Sequence, residues 1–179
     1  MPRYYRRRSR SYYRGGRSKY SSETTAFNQD LDFSSESLEA GTTFPYTPAS
    51  GDDPEQRGIT IVGATSVYGT RKAKNFDIQV AVGNCIGPLY FALVYVPQGT
   101  IASPMLSTHN SSTLYEPNQN VIASFIVPPP TNNGQLFHFK SRLARNLDSG
   151  DSIVLIAYNV YEQSGLVQFA GRVNYAIRY

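Results

Sequence analysis

Seven arginines and a lysine crowd the first twenty residues: Arg3, Arg6, Arg7, Arg8, Arg10, Arg14, Arg17 and Lys19, with no carboxylate among them. Tyr4, Tyr5, Tyr12, Tyr13 and Tyr20 are interleaved with them. Guanidinium and ammonium groups at this density neutralise phosphates, while tyrosine rings stack on unpaired bases. The eight cations, together with Tyr4, Tyr5, Tyr12 and Tyr13, are therefore the expected nucleic-acid-binding residues. The remaining 159 residues hold nine Lys/Arg and all thirteen Asp/Glu, so an arm of +8 is joined to a body of −4. In the body, Arg71, Lys72 and Lys74 form the one close basic cluster in sequence and are expected to add phosphate contacts on an inner surface. An arm so poor in aliphatic side chains and so self-repelling is expected to stay disordered until it meets a polyanion. The Arg6-Arg7-Arg8 cluster also suits a nuclear import receptor.

Other chemistry is only weakly signalled. His109 lies in a Ser/Thr/Asn stretch and His138 between Phe137 and Phe139, neither at metal-ligand spacing. There is no P-loop lysine and no G-x-S-x-G elbow. Asp148 and Asp151 bracket a turn that reads as a solvated hairpin tip, with a general acid/base pair as the alternative. Asp52, Asp53 and Glu55 read as a hydrated acidic loop, or as oxygen ligands for Ca²⁺ at a subunit contact. The single cysteine, Cys85, excludes an intramolecular disulfide and, between apolar runs, is expected to be a small buried side chain. Asn110-Ser111-Ser112 matches a glycosylation sequon, but no secretory h-region stands at the N-terminus. No apolar stretch approaches the roughly 20 residues that span a bilayer. The expectation is a non-enzymatic protein without metal, cofactor or membrane partner, soluble and intracellular while it is made.

The elements that must carry these residues are strands. Runs dense in Val, Ile, Phe and Tyr recur at 59–68, 75–82, 88–96, 120–127, 135–143, 151–161 and 166–179, several with period-two alternation. Pro97-Gln98-Gly99, Pro128-Pro129-Pro130, Asn132-Asn133-Gly134 and Asp148-Ser149-Gly150 punctuate them as turns. A weaker alternation at 24–33 reads as an edge strand, and only 141–147 has any helical character. Three regions follow: the arm (1–20), an acidic Ser/Thr-rich linker with the edge strand (21–57), and a shell domain (58–179) that includes part of the linker. Tandem strands with uneven, long connections predict a single antiparallel jelly-roll sandwich rather than an up-and-down barrel.

The order of the segments resembles a known family. The Tyr/Arg-rich arm, then PLYFALVYVPQG (88–99), LYEPNQNVIASFIV (114–127) and SRLARNLDSGDSIVLI (141–156) look like the capsid proteins of circular, replication-initiator-encoding single-stranded DNA viruses, the circovirus-like group. The resemblance implies one jelly roll per subunit, sixty copies in the smallest (T=1) icosahedral shell, and an interior arm holding a single-stranded DNA genome. It also implies a virion that passes through the host nucleus. Two alternatives stay open. Arg14-Gly15-Gly16 and Arg8-Ser9-Arg10-Ser11 suit an RGG/RS-tailed single-strand-binding module, and small satellite viruses with RNA genomes share the arm-plus-jelly-roll plan.

Overall fold

Alternating apolar residues flanked by Gly, Pro and Asn turns become ten strands in the computed structural model. It describes residues 19–38, 43–44, 59–66, 69–100, 120–132, 134–159 and 163–179. The strands are β1 (Ser21–Leu38), β2 (Thr43–Phe44), β3 (Ile59–Val62), β4 (Arg71–Gly83), β5 (Leu89–Val96), β6 (Val121–Val127), β7 (Gln135–Ser141), β8 (Arg145–Leu147), β9 (Ser152–Asn159) and β10 (Gln163–Arg178). There is no helix among the described residues. The helical character read at 141–147 is corrected: Ser141 ends β7, and β8 pairs with β4. Seven residues are too few to sustain a helix alone, and the fully buried Leu147 is worth more in the core.

All ladders are antiparallel. One sheet runs β1-β10-β4-β7, with β8 continuing β7's place along β4; the other runs β2-β9-β5-β6, with β3 continuing β2's place along β9. With β2 and β3, and likewise β7 and β8, each counted as one interrupted strand, there are eight, and successive ones cross between the sheets everywhere except from β5 to β6. This interleaving of two Greek keys is the eight-stranded jelly roll. The weakly patterned 24–33 segment is the middle of β1, an edge strand that follows β10 from Ser21 opposite Ile177 to Phe33 opposite Gly165.

Between the sheets lie Phe76, Ile78, Phe91, Leu93, Ile153, Leu155, Phe169 and Ile177, all essentially buried. Phe125 of β6 stacks on Phe139 of β7 with centroids 3.9 Å apart, closing one edge of the sandwich. Gly171 has no room for a side chain: a Cβ there would lie 2.1 Å from the Gln79 carbonyl oxygen and 2.8 Å from the Phe27 ring. A second buried apolar cluster (Tyr90, Ala92, Val94, Val96, Val121, Val154, Ile156) covers the opposite face of β5 and β9. Burial on both faces is why 88–96 reads as a continuous apolar run without alternation.

One irregularity decides which side chains reach solvent. Lys74 pairs with Ala176 and Asp77 with Asn174, so Asn75 and Phe76 together face Tyr175. Asn75 takes φ 56°, the left-handed conformation that Asn tolerates better than most residues. The extra residue flips the parity of β4. Lys72 and Lys74 point outward before it, Asp77 and Gln79 after it, and Ala73, Phe76, Ile78 and Val80 all point into the core. Without the bulge, either the two lysines or Asp77 and Gln79 would be driven inward.

Candidate nucleic-acid interface

Of the expected binding residues, Arg3, Tyr4, Tyr5, Arg6, Arg7, Arg8, Arg10, Tyr12, Tyr13, Arg14 and Arg17 lie outside the described residues. Lys19 is exposed at the foot of β1. The next residue, Tyr20, lays its ring under the Lys74 ammonium, 3.8 Å from Nζ to the ring centroid. A lysine held over an aromatic face is a favourable cation–π contact. It ties the root of the arm to β4.

The Arg71, Lys72, Lys74 cluster divides between two faces. Arg71 turns inward and is 8% exposed. Its Nη1 donates to the Gly63 carbonyl (2.9 Å) and its Nη2 to the Asp151 carbonyl (3.1 Å). This arginine is a brace between turns and is not at the surface with its neighbours, because alternation along β4 sends 71 and 73 one way and 72 and 74 the other.

On the outer face Lys72 and Lys74 gain partners that are remote in sequence. Arg178 lies directly opposite Lys72, and Lys140 directly opposite Asp77. Arg172 lies opposite Gln79, its Nε donating to Oε1 at 2.9 Å. The outer face of the first sheet thus presents Lys72, Lys74, Lys140, Arg172 and Arg178. Among the residues whose side chains are described, Asp77 is its only carboxylate. Its Oδ2 lies 3.7 Å from Lys140 Nζ, and its Oδ1 meets His138 Nε2. Lys140, Arg172 and Arg178 were not singled out from the sequence. The signal was present in GRVNYAIR, where Arg172, Asn174, Ala176 and Arg178 alternate with buried Val173, Tyr175 and Ile177. Only the register across strands shows that they join Lys72 and Lys74.

The face changes character away from the arm. Past Arg172 it carries Ala170, Ala81 and Gly83, and these small residues leave a hollow of about 290 Å³ edged by Asn28, Gln168 and Gly134. Asp30 and Asp32 of β1 register with Gln168 and Leu166 at this end.

Of the two carboxylates at the turn, Asp151 differs from the solvated tip expected of the pair. Asp148 is exposed, but Asp151 is buried, and its carboxylate accepts from Tyr95 Oη (2.6 Å), the Gln98 N–H (3.0 Å) and the Asp148 N–H (2.8 Å). Burial alone would raise its pKa; the Tyr95 hydroxyl, the two backbone N–H groups and the Arg71 charge outweigh it and hold the carboxyl below its ordinary value. Tyr95 is pushed up to about 12, first by burial and then by its bond to Asp151. With three donors already on it, Asp151 organises a turn. It binds the end of β5 to the start of β9, while Gly150 N–H and Ser149 Oγ both donate to the Thr65 carbonyl. Cys85 is buried as expected, its thiol donating to the Gly87 carbonyl at 2.9 Å. His109, Asp52, Asp53, Glu55 and the Asn110 sequon lie outside the described residues.

No protein-family model and no curated protein matches the chain. Among solved structures it is similar to the structure of the infectious bursal disease virus Gt strain, at 8% identity and a TM-score of 0.42, covering 89% of this chain and 32% of that one. It is also similar to the crystal structure of the infectious bursal disease virus VP2 subviral particle, at 9% identity and a TM-score of 0.26, covering 89% of this chain and 41% of that one. The chain therefore spans well under half of either neighbour. The jelly-roll assignment rests on the strand order, not on these matches.

Proposed function

We propose that the protein is a virus capsid subunit that assembles into a sixty-copy icosahedral shell and packages single-stranded DNA through its basic arm. The observation that carries this reading is the segregation of charge. Eight cations lie in the arm, the first sheet receives the arm's root, and that sheet's outer face is itself cationic while the whole body is net acidic. A shell needs such polarity, with one side of each subunit on polyanion and the rest against other subunits. Closed point symmetry lets one wedge-shaped domain enclose a volume with a few repeated contacts. Sixty arms carry about 480 positive charges against about 540 phosphates on a strand encoding this chain alone, so a genome with a second gene needs further cations. The sequence resemblance to the circovirus-like capsids adds the DNA cargo, the virion and passage through the host nucleus with an import receptor.

The cationic sheet face also favours the second reading, a single-strand-binding module with an RGG/RS tail, because such a module presents its sheet to nucleic acid. Negative-stain microscopy of the expressed protein with and without nucleic acid separates the two. Uniform closed particles holding nuclease-protected nucleic acid support the capsid. Monomers or dimers alone, across a range of salt, pH and added nucleic acid, overturn it. Digestion of the extracted cargo with DNase or RNase distinguishes a DNA genome from the RNA of a satellite-like particle.

A further inference from the structure

We propose that the outer face of the first sheet is a second nucleic-acid contact, a phosphate track carrying the arm's chemistry across the body from Arg178 and Lys72, through Lys74 and Lys140, to Arg172. It rests on the part of the proposed function that gives the chain a nucleic-acid partner, and is independent of the shell.

Placement is the first argument. The described cations of the body all lie on β4, β7, β8, β10 or the turn between β7 and β8. From Arg178 to Arg172 is six residues along β10, about 20 Å, and β10, β4 and β7 together span two strand spacings, about 10 Å. On those spacings Arg178, Lys72, Lys74 and Lys140 follow one another at about one Debye length (~8 Å) and act as a single field, with Arg172 roughly 12 Å from Lys140 at the far end. Such a patch is narrower than a duplex major groove (~12 Å) and longer than it is wide. It suits one sugar–phosphate backbone.

Energetics is the second. Like charges directly opposite across a ladder are destabilising, and Lys72 faces Arg178. Asp77 answers Lys140 and His138 but has no partner on β10 beyond Asn174. The isolated fold gains nothing from the Lys72–Arg178 pair, whereas a bound polyanion relieves it. Continuity is the third. Ser21 pairs with Ile177, so Lys19 and Tyr20 enter beside Arg178, and Tyr20 is already seated on Lys74. A strand held by the arm reaches the track without a break. Between the cations lie Ala176, Asn174 and Gln79, small or hydrogen-bonding side chains that let a backbone approach. Among the described residues its rings are Tyr20, seated on Lys74, and His138, held on Asp77, so the track reads phosphates and not bases.

The test is a salt series of fluorescence anisotropy with a labelled oligothymidine and full-length protein. Replacing Lys72, Lys74, Lys140, Arg172 and Arg178 by Gln should lower the slope of log K against log[salt] by about 3.5 units, 0.7 for each contact. Asp77→Asn should tighten binding about two- to fivefold, by releasing Lys140 to phosphate. Should the five-site variant lose its β-sheet circular dichroism, Asp77→Asn and the exposed Arg172→Gln decide the matter, the latter by a slope loss of about 0.7. An unchanged slope in a folded track variant, or no tightening with Asp77→Asn, overturns the track. The nucleic-acid reading then still stands if Arg6, Arg7 and Arg8 changed to Gln lower the slope in the same assay. Absence of binding by the unaltered protein at low salt overturns both.

Discussion

Lys72 and Arg178 stand directly across from one another on the β4–β10 ladder. A cross-strand pair of like charge costs the folded state about 0.2–1 kcal/mol relative to a neutral pair. A neutral β-former at one of the two positions should remove that cost. Lys72→Thr is therefore expected to raise the melting temperature of the free protein slightly while lowering its salt-dependent affinity for single strands, by about 0.7 in slope. Calorimetry and anisotropy on the same preparation check the opposed signs. A Lys72 without a binding role would still give the rise in melting temperature but would leave the salt slope unchanged.

How far this arrangement is legible without coordinates depends on the range of the interaction that sets it. Ile78, Val80 and Val82 alternate locally, and their inward facing follows from period two alone. β1 reads as weak because its polar, Ser/Thr-rich sequence is tolerated only at an edge, where one ladder suffices. Lys72 and Lys74 are visible as neighbours in the chain. Their association with Arg178 is not, because it depends on which strand lies beside β4, over a hundred residues away. Asp151 is the sharper case. Its turn signature is plain, but its burial depends on Tyr95 and Gln98 at the end of a strand in the other sheet, and local polarity pointed the wrong way.

Asp151 should set part of the acid limit of stability. Its folded pKa is depressed, so its contribution is complete above the unfolded carboxylate value, about 4, and is lost as pH falls through the folded value. Asp151→Asn should destabilise by about 3 kcal/mol, since it leaves donors facing an amide, and should flatten the pH dependence below about pH 4. Tyr95 acts at the other end of the scale. Its pKa is raised from 10.0 to about 12, so stability present below pH 10 declines as pH rises toward 12. Tyr95→Phe should remove that alkaline decline. Denaturant titrations of the three proteins across pH read both effects.

Asn75 sets the parity of β4, and the variants that respect its left-handed backbone differ sharply from those that do not. Asn75→Gly should be tolerated, because glycine takes φ 56° without strain. Asn75→Val forces a β-branched side chain into the same region at about 1–3 kcal/mol. Deleting Asn75 outright should be milder than Asn75→Val, since β4 then alternates regularly, with Lys72 and Lys74 still outward, Phe76 still inward and the pairs on either side of the bulge kept. Midpoints of urea unfolding should place Asn75→Val below both the glycine and the deletion variants. Equal midpoints for glycine and valine would mean that β4 follows another register.

The arm's two residue types should act on different observables. Each arginine neutralises a phosphate and releases a counterion, so changing Arg6, Arg7 and Arg8 to Gln should lower the salt slope by about 2 units, 0.7 for each. Tyrosine stacking releases no counterion. Tyr4, Tyr5, Tyr12 and Tyr13 changed to Ala should therefore weaken binding at every salt concentration, by up to about 1–3 kcal/mol for each base that loses its ring, with the slope almost unchanged. Arginine-to-lysine replacement should keep the slope and lose the bidentate part of each phosphate contact. Anchoring matters for Tyr20, whose ring is held under Lys74 and which lies in the arm and on the sheet at once. Tyr20→Ala should cost affinity through a less ordered arm root, and the loss should shrink when Lys74 is already Gln, because the pair then no longer exists to be broken. Equal losses in both backgrounds would mean that Tyr20 contacts the nucleic acid directly and that Lys74 does not position it.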